Sequence, residues 1–463
     1  MIPPRLQSLL RADGVPAQLA RLFTEHGHRL YLVGGSVRDA LLARSSGDLD
    51  FTTAARPEEI KRLVNLWADD VYTMGEAFGT IGAIRQGEVV EITTFRSEMY
   101  VNESRKPQVS FSDDIAEDLS RRDFTINAMA LALPQAEGDQ PEMVDPHGGL
   151  VDLASQVLRT PLDPHISFGD DPLRMLRLFR FVSVLGFEGD KAAIAAVEEM
   201  ADRLAIVSAE RIRDEFVKLM VGDHVGDALR GLLESGLAHR FLPELTELGM
   251  QQDPVHRHKD VLAHTVAVVE KTSPRERLRL AALFHDIGKP ATREFGPDGV
   301  SFHHHEVVGA RMTRARMREL RFPKDSVRDV SQLVFLHMRP HTLKMGWTDR
   351  AVRRYVRDAD ELLEDLNELV RCDVTTRNEK RAKSISRRID ELERRIAELA
   401  EQEELDSLRP PVDGNQVMEY LGIPPGPAVG EVMQMLMEHR LDHGPYSPEE
   451  AFALIDEWMA ARS

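Results

Sequence analysis

Residues 32–39 read Leu-Val-Gly-Gly-Ser-Val-Arg-Asp, and residues 47–51 read Gly-Asp-Leu-Asp-Phe. An apolar run entering Gly34-Gly35 predicts a strand, a tight turn and a helix start. Two glycines let backbone N–H groups approach a phosphate closely, and a helix N-terminus adds partial positive charge. Arg38 is spaced to reach back as a phosphate clamp. Asp48 and Asp50, at i and i+2 on a strand, project to one face. Carboxylates that close repel each other unless they are solvated or bridged by a cation, and hard oxygen ligands of this kind suit Mg²⁺. Alone, the turn is an ordinary strand–helix connection and the acid pair an ordinary solvated turn. Together they predict two-metal phosphoryl or nucleotidyl transfer, with Asp48 and Asp50 as the catalytic metal ligands. Glu91, in the Val90-Glu-Ile-Thr-Thr-Phe strand, is a candidate third acid.

A second group of chemistry-bearing residues is rich in histidine. His264 lies in an apolar helical run, and His285-Asp286-Ile287-Gly288-Lys289 ends another. His305, His337 and Asp373 follow in order. A lone His-Asp pair says little, whereas six such residues in sequence say more.

The elements that must position these residues follow from periodicity. Leu30–Val33, Leu49–Thr53, Thr80–Ile84 and Val89–Phe95 read as strands, with an amphipathic helix near Glu58–Trp67. Glu137–Pro146 is rich in Gly, Pro and acids and reads as a linker. From about Ser167 the pattern is helical. Ile385, Ile389, Leu392, Ile396 and Leu399 form a heptad seam, read as a helix packing on its own domain rather than as an intermolecular coiled coil. The expected fold is therefore α+β. A small mixed-sheet head (17–145) precedes an all-α neck (146–250), a helical domain carrying the histidines (256–377) and a helical tail (378–463).

Length and charge bound the function. A chain of 463 residues can bury a sizeable core unaided. Its single cysteine, Cys372, forms no intrachain disulfide, which favours a reducing cytoplasm. No uncharged apolar run approaches the ~18 residues of a membrane span, so no membrane association is expected. The net charge of −18 argues against indiscriminate coating of nucleic acid. It allows local basic patches on one shaped RNA, and three stretches qualify: 311–321, 350–357 and 377–395.

The head motifs resemble the class II tRNA nucleotidyltransferase and bacterial poly(A) polymerase family. The resemblance continues through Glu117-Asp-Leu-Ser-Arg-Arg-Asp-Phe-Thr-Ile-Asn-Ala128, Asp145-Pro-His-Gly-Gly149 and Asp170-Asp-Pro-Leu-Arg-Met-Leu-Arg-Leu-Phe-Arg-Phe181, in the family's order over about half the chain. It implies a nucleotidyltransferase head followed by a helical neck, body and tail. Asp48 and Asp50 would hold Mg²⁺, and Gly34, Gly35 and Arg38 the triphosphate. Arg122 and Asp123 would contact sugar and phosphates. Asp171 and Arg174 would read the incoming base, with Arg177 and Arg180 further along the same helix. The Asp171–Arg174 spacing puts an acceptor and a donor fork on one helical face, and Arg174, Arg177 and Arg180 form a basic stripe. This chain has Asp170 where the family usually has Glu. It carries a loop at 102–107 of about full length, which the resemblance links to complete CCA synthesis.

The histidine order resembles the HD phosphohydrolase family. That implies one or two divalent transition metals (Ni, Co, Mn or Zn) on His264, His285, Asp286, His305, His337 and Asp373, activating water. The expected function is template-independent addition of C, C and A to tRNA 3′ ends from CTP and ATP, with a possible second phosphohydrolase activity. The alternatives are a poly(A) polymerase, which would need a more basic chain, and a CC- or A-only tRNA nucleotidyltransferase.

Overall fold

The computed structural model describes residues 6, 10–11, 13–44, 49–99, 108–136, 139–249, 260–296, 299–342, 348–374, 379–403 and 409–460. Asp48 and the 102–107 loop lie outside the described residues. The chain divides into two compact units, Met1–Thr246 and Glu247–Ser463. No helix among the described residues is long and apolar enough to cross a membrane.

Up to Val144, the described residues of the first unit form nine strands: β1 (Leu30–Val33), β2 (Leu49–Thr53), β3 (Asp70–Tyr72), β4 (Thr80–Arg85), β5 (Glu88–Thr94), β6 (Arg96–Met99), β7 (Gln108–Phe111), β8 (Ala130–Ala132) and β9 (Glu142–Val144). Seven form one sheet in the order β3-β4-β5-β2-β1-β8-β9, and β6–β7 is a separate hairpin. The β2–β5 pair is parallel and the other sheet pairs are antiparallel, so the sheet is mixed. The linker expected at 137–146 is not wholly irregular: β9 lies within it and closes the sheet edge against β8. The expected helix near 58–67 runs over Pro57–Val64, where Pro57 supplies a preset first-turn φ.

Helix α1 (Gly35–Leu41) follows β1 directly. Helix α2 (Ile115–Ser120) is capped by Asp114, whose side chain accepts from the Ala116 N–H. Val33, Leu119, Ala128 and Ala130 bury together behind this turn, fixing β1, α2 and β8 to one another. The remainder of the unit is helical apart from one short parallel strand pair, Val157–Leu158 with Glu188–Gly189. Helix α3 (Leu173–Leu185) buries most of its length against α4 (Ala209–Met220) and the helix Val225–Glu234. Gly231 is needed there, because a Cβ would stand 2.6 Å from Phe179 Cε1.

The second unit contains α5 (Val261–Lys271), α6 (Glu276–Phe284), α7 (His305–Glu319), α8 (Lys324–Leu336), α9 (Asp349–Ala359), α10 (Leu363–Cys372), α11 (Glu379–Glu403) and α12 (Pro427–His443). Helix α11 carries the heptad seam. Its Ile389, Leu392 and Leu399 are buried within this unit, and α9 packs along it. A small terminal core of Val412, Val417, Val432, Leu436, Ala451 and Ile455 completes it.

Candidate functional site

The head site begins at Gly34, whose φ of +67° and ψ of −130° suit glycine alone. A Cβ there would stand 2.8 Å from Arg122 Nη1 and 3.9 Å from Asp50 Oδ2, so the bare backbone lets both groups converge on the turn. Ser36 Oγ accepts from the Asp50 backbone N–H at 3.0 Å, tying β2 to the start of α1. Across the parallel ladder Asp50 is in register with Glu91 of β5, which is exposed. The candidate third acid therefore stands beside Asp50. Carboxylate oxygens next to an arginine-lined glycine turn are the donor set that a hard divalent cation and a polyphosphate require.

The arginines expected to meet the nucleotide are held by protein partners. Arg38 Nη1 donates to Asn127 Oδ1 at 2.6 Å, and its Nε and Nη2 donate to the Asp39 carboxylate at 2.9 and 2.8 Å. Arg122 Nη2 donates to Asp118 at 3.3 Å, while its buried Nε has no partner. Asp118 is fully buried. Burial alone would raise its pKa, but Arg121 and Arg122 more than offset this and hold it below the usual carboxylate range. Asp123 is also buried. Its Oδ1 accepts from the Phe124 N–H (2.8 Å) and Asn127 Nδ2 (2.9 Å), and its Oδ2 from Arg177 Nε (2.9 Å) and Nη2 (2.5 Å). Asp123 is thus a bracket between the 3₁₀ turn Thr125–Asn127 and α3.

The base-reading candidates sit at the start of α3, and their arrangement differs from the sequence expectation. Asp171 is not on the helix. Pro172 occupies the N-cap, so Asp171 stands one residue ahead, where its Oδ1 accepts from the Leu173 N–H at 3.1 Å. Its Oδ2 accepts from Arg211 Nη2 at 2.8 Å. Arg174 is buried, and its Nη1 donates to Ser167 Oγ at 2.9 Å while Nη2 reaches the Arg121 carbonyl. The basic stripe is not open along its length, since Arg177 and Arg180 both bond the buried Glu215 of α4, at 3.2 and 2.8 Å. Three guanidiniums also surround one ring: Arg180, Arg38 and Arg177 lie 4.3, 5.2 and 5.7 Å from the centroid of Phe181.

Asn127, Glu215, Arg211 and Phe181 thus hold the candidate residues in place, and the sequence did not single them out. The one available signal was Glu215, an acid on the Ile212, Phe216, Leu219 face of an amphipathic helix.

The histidine block converges in the second unit. His285, His337 and Asp373 each follow the last residue of a helix (α6, α8 and α10), while His264 lies within α5 and His305 opens α7. Nδ1 of His285, His305 and His337 is 2.7, 2.9 and 2.6 Å from the carbonyl three residues earlier. Each ring therefore donates from Nδ1 and turns its Nε2 inward, the orientation of metal-ligating imidazoles. His264 Nε2 lies 2.9 Å from Asp373 Oδ1, 3.5 Å from Asp286 Oδ2 and 3.3 Å from His285 Nε2.

Two triads can each hold an ion, His264/His285/Asp286 and Asp286/His305/His337, with Asp286 common to both. Lys289 Nζ also reaches Asp286 Oδ2, at 2.6 Å. Burial opposes charge on His285, yet Asp286 and Asp373 push its pKa up to about 10, while burial and the His285 charge push His337 down to about 3. The carboxylates demand a cation at this point, and a metal ion would take the proton's place. Gly288 is required by packing, since a Cβ would meet the His305 carbonyl at 2.2 Å.

Comparisons with known proteins agree with both halves. Residues 30–159 match the poly A polymerase head domain, residues 186–248 the family described as "Probable RNA and SrmB-binding site of polymerase A", and residues 259–377 the HD domain. The chain is 34% identical to an A-adding tRNA nucleotidyltransferase of Deinococcus radiodurans over 92% of this chain and 95% of that protein. It is 41% identical to a CCA-adding enzyme of Geobacillus sp. over 48% of this chain, and that match spans about half the relative's length (53%). A crystal structure of the Bacillus stearothermophilus CCA-adding enzyme in complex with CTP superposes with a TM-score of 0.71, at 24% identity over 100% of this chain and 99% of that one, a likeness of fold.

Proposed function

The chain belongs to the class II CCA-adding and poly(A) polymerase family, as a tRNA nucleotidyltransferase with an HD domain, and from that premise we propose that it adds C, C and A to tRNA 3′ ends from CTP and ATP without a template. The observation that carries the reading is the polar chain joining the Gly34 turn to α3, through Asp118, Arg122, Arg121 and Arg174 on one side and Arg38, Asn127, Asp123 and Arg177 on the other. It links the place where phosphate chemistry would occur to the place where a base would be read, within one compact unit.

Asp48 and Asp50 would hold Mg²⁺ in this reading, with Glu91 beside Asp50. The ions would lower the pKa of the attacking hydroxyl and neutralise the departing pyrophosphate. The tRNA 3′-hydroxyl attacks the α-phosphate, the bond to the β-phosphate breaks, and Arg122, whose Nε is unpartnered, neutralises charge on the phosphates. Cytosine and adenine both present an exocyclic amine beside a ring-nitrogen acceptor, so one acceptor, Asp171, and one donor, Arg174, can serve both bases. Uracil and guanine present the reverse pattern.

A second reading, A addition alone, is favoured by the full-length similarity to the Deinococcus enzyme. Incorporation assays on tRNAs lacking CCA, CA or A decide between them. Labelled CMP and AMP on the first substrate establish complete synthesis, and activity confined to the last establishes A addition.

For the HD block the proposed activity is metal-dependent hydrolysis of a phosphoester, such as a 2′,3′-cyclic phosphate at a damaged RNA end, with Ni²⁺, Co²⁺, Mn²⁺ or Zn²⁺ as the ion. The Asp286-sharing double triad supports it. Phosphodiesterase activity that appears with one of these ions and vanishes in His285→Ala is the expected result. The single cysteine is consistent with work in the cytoplasm.

A further inference from the structure

The sequence contains three arginine-rich stretches in the second unit, and the structure treats them differently. Within 350–357, Arg350 and Arg354 pair with Asp442 and Glu438 of α12, Arg353 donates to the Leu441 carbonyl, and Arg357 pairs with Asp358. That stretch fastens α9 to α12. Along α11, Arg394 pairs with Glu391 and Glu398, and Arg395 with Asp349. Arg387 and Arg388 are exposed, but as sequence neighbours they point to different sides of the helix.

Helix α7 is different. Its inner face is His305, Gly309, Thr313 and Met317, all buried at i, i+4, i+8 and i+12. Its outer face carries Val307, Arg311, Arg314 and Arg318, all exposed. These three arginines have no carboxylate partner among the described residues. The acids of α7 lie at its two ends, and Glu319 is already taken by Arg316 at 2.9 Å. Beside the arginines a groove of about 440 Å³ opens between α7 and α8. It is lined by Val307, Arg311, Arg314, Gln332 and Phe335, with no acidic residue. Arg311 to Arg318 spans about 10 Å along the helix, enough to meet more than one phosphate of a chain.

We propose that this groove is a binding surface for the RNA substrate, with Arg311, Arg314 and Arg318 on its phosphate backbone and Phe335 against an unstacked base. In a chain of net charge −18, RNA affinity must be concentrated where cations are not neutralised, and this face meets that condition. An aromatic ring beside arginines in an acid-free groove is the combination that recognises single-stranded or looped RNA, by stacking and charge together. The proposal rests on tRNA being the substrate, not on which nucleotides are added.

The test is binding of a tRNA lacking its 3′ CCA to the full-length protein, by fluorescence anisotropy across a salt series. Arg311→Glu/Arg314→Glu is expected to weaken binding about tenfold or more and to reduce the salt slope by about 2. Phe335→Ala should weaken binding with the slope unchanged. Arg328→Glu, a charge reversal on the neighbouring helix at a residue paired with Asp325 and Asp329, should change binding far less. CTP and ATP affinity should be the same in all variants. Equal losses in the Arg328 control, unchanged tRNA binding in the double variant, or a parallel loss of CTP binding would each overturn the surface. A wild-type protein that did not bind tRNA at all would instead overturn the substrate reading on which it rests.

Discussion

Gly34 decides whether the head site can exist. Its backbone sits where a side chain is strained by about 1–3 kcal/mol, and a Cβ would displace Arg122 from beside Asp50. Gly34→Ala is therefore expected to cut nucleotide incorporation at least ~100-fold while lowering Tm by only a few degrees, measured by primer extension and calorimetry on the same preparation. Asp50→Ala should be more severe, on the order of 10³-fold, because metal-based charge stabilisation is worth several kcal/mol.

Asp123 makes a different kind of contribution. Burial would raise its pKa, but Arg177 and Asn127 reverse this and hold the carboxylate well below the ordinary range. Its folded pKa thus lies below the unfolded value of about 3.9. The stabilisation is fully present above that value and is lost as pH falls through it towards the folded pKa. Urea unfolding of wild type should show stability falling below about pH 4, and Asp123→Asn should flatten that limb. Arg177→Met, which leaves a buried carboxylate unpaired, should cost about 3–5 kcal/mol at neutral pH, and a loss under 1 kcal/mol would argue against the bracket.

At the scale of elements, α4 would act as the frame for the proposed base selection. Arg211 holds Asp171 from outside, and Glu215, one turn further on, holds Arg177 and Arg180. Glu215→Ala is expected to lower correct incorporation about tenfold and to raise UMP misincorporation relative to CMP, with Glu215→Gln intermediate. Equal loss for all nucleotides would mean that α4 supports the fold alone.

This frame also marks the limit of what was legible in the sequence. Strands β1 and β2 were readable to the residue, because apolar runs bounded by glycine and acids leave little choice. The edge strand β9 was not. Three residues in a Gly-, Pro- and acid-rich segment pair only because β8 offers a free edge, and β8 itself, Ala-Leu-Ala, has weak strand preference of its own. That Arg177 and Arg180 are held by Asp123 and Glu215 was not legible, because those acids lie 54 and 35–38 residues away in sequence. Pro172 removed Asp171 from the helix, a boundary that spacing alone does not show. The six HD-block residues were identifiable by order, but that Asp286 stands between two triads is a property of where helix ends meet.

Across the whole molecule, the acid excess and the two candidate metal centres set what can be separated. Net charge of −18 repels a polyanion at a distance, so RNA association should be steep in salt and confined to unneutralised patches. The candidate metal centres share no residue: Asp50 and Glu91 belong to the first unit, and the double triad to the second. Each should therefore be removable alone. Because Asp286 contributes to both triads, Asp286→Ala should abolish binding of both transition-metal ions in calorimetric titration with Co²⁺ or Mn²⁺. His264→Ala should lose the ion of the first triad, and His337→Ala the ion of the second, each leaving one. The bound ions should also stabilise the folded chain by mass action, about 2.7 kcal/mol at a free concentration of 100 Kd, so a chelator-stripped wild type should melt lower and Asp286→Ala should show no further shift on metal addition. Nucleotide incorporation with Mg²⁺ should survive all three substitutions within about twofold. A wild type that takes up only one ion, or a His337→Ala variant that still takes up two, would break the assignment of Asp286 as the shared ligand, and a large loss of incorporation in Asp286→Ala would show that the two chemistries are coupled.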